Sequence, residues 1–192
     1  MLSEEAKNYI ENNKILLQQD KFQEFFDKCD WRLKCEMSEF FLLDCDIHFL
    51  EYMTKIPGYL FFESKRLKSI VIPDSFTKID EEAFINCRSL QSITIPDSVT
   101  EIGNFAFDAC SNLKSIYITK LVTKIFDYAF YLCKSLQSIN IPESVTEIGE
   151  HAFEKCSSLK EIKLPKHLKE NGLKLSDIGI YPRKNNTKVI WY

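Results

Sequence analysis

Apolar and polar positions repeat along the middle of this chain with a strict spacing. Leu67, Leu90, Leu113, Leu136 and Leu159 each open a segment of the form L-x-[SE]-I-x-[IL], and each lies 23 residues after the last. Within a unit, Ser92, Ile93, Thr94 and Ile95 alternate polar and apolar, which predicts a strand with one buried face. Pro96 ends it, because proline donates nothing to a ladder. Val99 and Ile102 then point inward, Gly103 predicts a tight turn, and Ala106, Phe107 and Cys110 predict one short helical turn against the core. A period of this length predicts a solenoid, in which a coil buries its apolar side only by stacking on the next. The strands predict one parallel sheet, five strands wide, with neighbours about 4.8 Å apart.

A partial coil starts at Ile56, and full coils run over 73–95, 96–118, 119–141 and 142–164. The flanks do not share the period. Residues 1–53 read as helices: Ala6, Ile10 and Leu17 suggest a first, and Phe22, Phe25, Phe26 and Cys29 give one face of a second. Ser38 can cap a third that runs to about Met53 and is apolar nearly all round, the pattern of a helix buried on both sides. Such a segment predicts a cap, 1–53, over the open end of the solenoid, 54–165. Residues 166–192 read as a degenerate capping coil. Leu168 and Gly172 nearly continue the pattern, 182–186 reads as a loop, and 187–192 alternates as a last strand.

The coil, with its L-x-x-I-x-[IL]-P, V-T-x-I-G and A-F-x-x-C segments, resembles the BspA-type, or Treponema pallidum-type, leucine-rich repeat family. The resemblance covers roughly 54–165 and leaves the first 53 residues outside it. It implies a curved right-handed leucine-rich-repeat solenoid with a parallel β-sheet on one face, used to bind proteins or surfaces; with the helical N-terminal cap read from residues 1–53, the expected fold class is α/β. Many relatives are secreted adhesins.

Composition narrows the picture. The net charge of −3 speaks against nucleic acid held by bulk electrostatics. Charge is uneven along the chain: net −6 over 1–63, −2 over 64–158 and +5 over 159–192. Opposite ends could therefore attract, between copies or onto one partner. The polar, acidic start carries no secretory signal and no segment approaches a membrane span, so the expected location is cytoplasmic. Seven cysteines, an odd number, are read as reduced thiols. Cys87, Cys110, Cys133 and Cys156 form a column at the repeat spacing, expected to be a buried ladder rather than a metal site. Cys29, Cys35, Cys45 and His48 are the remaining candidate zinc ligands, at spacings that match no zinc pattern.

No catalytic motif or phosphate loop is present, so neither an enzyme nor a cofactor is expected. The expected function is non-catalytic protein binding. Strand positions facing away from the core form a serine column and a variable column holding Thr94, Tyr117, Asn140 and Lys163. The third coil breaks the pattern repeatedly, with Thr119 for proline, Leu121 for serine and Phe126 for aspartate or glycine. Tyr128 and Tyr131 add aromatic surface next to Phe105 of the preceding coil. These nine outward positions, Thr119 aside, are the candidate partner-binding residues. Narrower readings are a stoichiometric inhibitor of a host or bacterial defence enzyme, of the kind a phage encodes, and a surface adhesin. A nucleic-acid binder using Lys160, Lys163, Lys166, Lys169 and Lys174 is disfavoured, since that run suits solvation of the end.

Overall fold

A computed structural model describes residues 3–12, 54–182 and 186–192. The helices expected between 13 and 53, and with them Cys29, Cys35, Cys45 and His48, lie outside the described residues. Near the start, α1 (Glu4–Asn12) begins where the Ser3 hydroxyl accepts the Ala6 N–H at 3.1 Å, with Glu4 and Glu5 in its positive first turn. Ala6 of this helix is buried and Tyr9 half-buried against the core.

From residue 54 the chain winds as a parallel-sheet solenoid with three sides. One side is a continuous five-stranded sheet of β1 (Lys55–Ile56), β3 (Lys78–Ile79), β5 (Glu101–Ile102), β6 (Lys124–Ile125) and β8 (Glu147–Ile148), in that order. Every pairing is parallel and exactly one repeat apart, as in Ile79 beside Ile102. The threonine preceding each strand donates its hydroxyl to the carbonyl of the threonine one coil back, at 3.2–3.3 Å. Facing pairs such as Lys78–Glu101 at 3.4 Å and Lys124–Glu147 at 3.2 Å offset like charges on this side.

The second side carries the alternating strands, and it departs from the single five-stranded sheet expected. β2 (Ser69–Val71) pairs with β4 (Ser92–Thr94), while β7 (Ser138–Asn140), β9 (Glu161–Leu164) and β10 (Lys188–Trp191) form a separate sheet in the order β10-β9-β7. Residues 115–118 between them keep one bridge, Ser115 to Ser138. At the strand ends, Ile72 donates to Thr94 O and Ile141 to Lys163 O, both at 3.0 Å; the corresponding Ile95–Tyr117 and Ile118–Asn140 bonds are absent among the described residues. A proline holds the residue before it extended. Ile72, Ile95 and Ile141 have that restraint, whereas Ile118 precedes Thr119.

The third side is not the short helical turn expected. Glu82, Phe105, Tyr128 and His151, and four residues later Asn86, Ala109, Leu132 and Lys155, all have φ between 56 and 61° or within a few degrees of it. These left-handed residues turn alternate N–H groups along the solenoid axis. Phe105, Phe107 and Ala109 thus donate to Asp127, Ala129 and Tyr131 of the next coil, at 2.8–3.0 Å. Gly103 is likewise not needed for a turn conformation. A Cβ there would lie 2.7 Å from Glu81 N, so glycine permits close approach of neighbouring coils.

The core runs through the coils as columns. Phe61, Phe84, Phe107, Phe130 and Phe153 stack nearly parallel with centroids 4.8–5.5 Å apart. Each buried ring contributes roughly 1.5–3 kcal/mol. The cysteine column is buried as expected, and its thiols donate to phenylalanine carbonyls of the preceding coil at 2.8–3.2 Å. Burial pushes the Cys156 thiol up to about 12 and those of Cys110 and Cys133 well above the usual range. The coil at 54–72 is more than partial: it supplies β1, β2 and the first ring of the phenylalanine column.

At the far end, α2 (Lys166–Glu170) follows Pro165 and tucks Leu168 into the core. The last strand falls where the sequence alternates, pairing Lys188 with Glu161, 27 residues away rather than 23. Asp177 O and Ile178 O accept the His151 and Phe153 N–H groups. Gly179, at φ +81°, has Glu154 Cα 2.5 Å from the site of a Cβ.

Candidate interaction surface

The nine candidate binding residues fall in three places. Thr94, Tyr117, Asn140 and Lys163 occupy one exposed column of the strand side, together with Val71. Val71 and Tyr117 are 63% and 67% exposed, the two most open large apolar side chains described. Leu121 sits just past the strand, 48% exposed. In the flanking coils that position is Ser98 or Ser144, whose hydroxyl donates to Phe76 O or Val122 O at 2.6–2.7 Å. Leu121 gives up this bond and exposes apolar surface instead. Two residues earlier, the buried Thr119 hydroxyl has no partner among the described residues. Three departures that each weaken the fold therefore cluster within 117–121.

Phe126 lies elsewhere. It lines one end of a groove of about 470 Å³, together with Gly58, Lys78, Asp80, Gly103 and Asn104. Asp80 is engaged there by Lys55 and Lys78, at 3.3 and 3.6 Å.

Phe105, Tyr128 and Tyr131 belong to the turn side. Phe105 and Tyr128 stack at 4.8 Å and 6°, and His151 stacks on the far side of Tyr128 at 4.9 Å. The faces of these rings cover one another, which leaves edges for solvent. Tyr131 meets Tyr128 edge-on and carries Lys155 over its ring and at its hydroxyl. His151 Nδ1 lies 2.5 Å from Glu154. This aromatic row stabilises the stacked turns, a role the sequence signalled by placing aromatic residues one period apart.

Charge separates by side of the coil as well as along the chain. The segments that form the strand side and the corner leading into it, 64–72, 87–95, 110–118, 133–141 and 156–164, carry eight Lys or Arg and one acid, Glu161. The turn segments, 57–63, 80–86, 103–109, 126–132 and 149–155, carry eight acids and one base, Lys155. All eight strand-side bases are exposed. Glu161 reaches Lys163 and Lys188 at 3.9 and 3.7 Å, while Lys68, Lys114 and Lys160 make no ion pair among the described residues. On the acidic side, burial foremost, with help from the Glu82 charge and against the Ala109 N–H, pushes the Asp108 carboxyl up to about 6. Counting charge along the chain averages the two sides and hides this separation.

Among the described residues no group of three potential ligands is placed to hold a metal, and no helix is long and apolar enough to cross a membrane.

Solved structures share this architecture. A Treponema pallidum leucine-rich repeat protein is 31% identical with a TM-score of 0.58, over 58% of this chain and 52% of its own. A leucine-rich repeat protein of Bacteroides ovatus is 29% identical with a TM-score of 0.59, over 74% of this chain and 40% of its own. The pneumococcal vaccine antigen PcpA shares the fold at 21% identity and a TM-score of 0.52, over 57% of this chain and 27% of its own. The chain thus spans about half the Treponema protein or less of the others. No curated protein matches it. Residues 54–174 match six copies of the BspA type leucine-rich repeat region, and the chain belongs to that family.

Proposed function

We propose that this protein is a non-catalytic interaction module that docks a protein partner on its strand side, with Tyr117 and Leu121 as anchors. The observation that carries the reading is the cluster at 117–121. A lost ladder, an orphaned hydroxyl and a forfeited serine bond coincide with two exposed apolar side chains. Departures that weaken a repeat while exposing apolar surface suit recognition rather than folding. The family match supports the reading, since repeats of this kind present rigid scaffolds, and rigidity limits the ordering cost of binding. In this reading Thr94, Asn140 and Lys163 tune contacts around the anchors, and residues 1–53 form a helical cap that closes the other end. Docking is taken to occur in the cytoplasm.

Tyr117→Ala with Leu121→Ser tests the placement in affinity capture from the native cell, read by mass spectrometry. The expected outcome is a protein recovered with wild type and with Tyr128→Ala, and lost with the double variant, at unchanged circular dichroism. Recovery by the double variant alongside loss by Tyr128→Ala overturns it and moves the contact to the turn side.

A further inference from the structure

We propose that the partner on the strand side is an extended acidic protein segment. The inference rests on the strand-side reading and adds the chemistry of what docks there. Eight exposed bases against one acid make this side and the corner leading into it positive in a chain whose net charge is −3. The one acid, Glu161, is held between Lys163 and Lys188.

Spacing makes the match specific. Lys68, Lys114 and Lys160 occupy one position of alternate coils, with Gln91 and Gln137 between them. Coils rise about 4.8 Å apiece, so these ammonium groups recur about every 10 Å along the solenoid axis. In an extended peptide of polyproline II twist, side chains three residues apart share one edge and lie about 9 Å apart. A segment in that conformation lying along the axis, with acids at every third position, would meet each lysine in turn. Its intervening apolar side chains would reach toward Val71 and Tyr117, beyond the flat serine column. A nucleic-acid strand fits less well, because its phosphates recur more closely and it has nothing to place against Val71 and Leu121. The eight acids on the turn side repel the same ligand, so the field across the coil orients the encounter as well as strengthening it.

The probe is a fluorescein-labelled peptide of repeating Glu-Thr-Val, followed by fluorescence anisotropy on the full chain. Binding should weaken at high salt. It should fall by about tenfold or more when Lys68→Glu, Lys114→Glu and Lys160→Glu are combined, and persist when Glu81→Lys and Glu150→Lys alter the turn side. The inference is overturned by no binding, by binding that ignores the lysine variant, or by oligo-dT binding as tightly as the peptide. Sedimentation of the chain alone covers the remaining occupant. Lysine-dependent self-association would make the acidic side of a second copy the ligand and overturn the acidic-partner assignment. A captured partner that survives the lysine variant but not Tyr117→Ala with Leu121→Ser defeats this inference and leaves the docking site standing. Lysine-dependent peptide binding combined with capture that ignores the anchors does the reverse.

Discussion

Asp108 is a single carboxylate with an environment unlike its counterparts in neighbouring coils. Its column holds Ile85 on one side and Tyr131 on the other, and its Oδ1 is buried without a partner among the described residues. A carboxyl raised from 3.8 to about 6 favours the protonated form in the folded state. Above about pH 6 the group is ionised whether folded or unfolded, and the full cost of burying the charge is felt. As pH falls from there toward 3.8 the folded form takes up its proton first, the cost is relieved, and stability rises. Asp108→Asn removes the charge, so it should stabilise the protein at neutral pH. With partial solvent screening the gain is about 1–2 kcal/mol. Urea unfolding at a series of pH values checks this: the gain should fade below about pH 4, and a gain independent of pH would refute the assignment. Cysteine identity in the repeat has an equally local cause. A buried thiol both fills space and adds a second donor to a phenylalanine carbonyl one coil back, which already accepts a backbone N–H.

Thr119 shows how one position governs an element. The coil that lacks proline there is the coil whose strand loses its terminal pairings on both sides. Thr119→Pro should hold Ile118 extended and remove an orphaned hydroxyl, for a gain of roughly 1 kcal/mol. Amide exchange should slow at Ile95 and Ile118 as the two halves of the strand side join; unchanged exchange would separate the seam from the missing proline. The alternating strands were legible because Ser-Ile-Thr-Ile has period two and a proline after it. The continuous sheet on the other side was not, since two residues such as Lys78 and Ile79 are too few to show alternation. Nor were the left-handed turns, because the sequence places Glu82, Phe105, Tyr128 and His151 there rather than glycine. The stacked N–H ladder and the ring column fix those conformations, and both exist only once coils are stacked.

In the whole molecule each coil rests on its neighbours, so the ends carry the exposed core. Tyr117 and Leu121 could be singled out from sequence because a repeat gives every position a control. The division of charge between sides could not, until each residue was assigned to a side of the coil. The C-terminal end shows what closing a solenoid requires. Tyr192 donates its hydroxyl to Ile141 O at 2.6 Å, Thr187 to Leu159 O at 2.8 Å, and Lys188 N–H to Lys160 O at 2.8 Å. Val189 and Trp191 pack on the core behind them. Deleting 186–192 removes these bonds and opens the edge of β9, leaving Ile162 and Leu164 without a cover. The three bonds just named and two partly buried side chains alone amount to roughly 3–5 kcal/mol, before the β9–β10 ladder and the Tyr192 backbone bonds to Leu164 and Lys166 are added. The thermal midpoint should therefore drop by roughly 10 °C or more. Because stability in a solenoid passes between nearest neighbours, the loss should appear first as faster amide exchange in 142–164, with 73–95 retaining its protection. Tyr192→Phe, which removes only the hydroxyl, should cost about 1 kcal/mol. A truncated chain that melts with the wild type would mean that α2 and Gly179 alone close the end, and that β10 is an addition to the sheet rather than its cap.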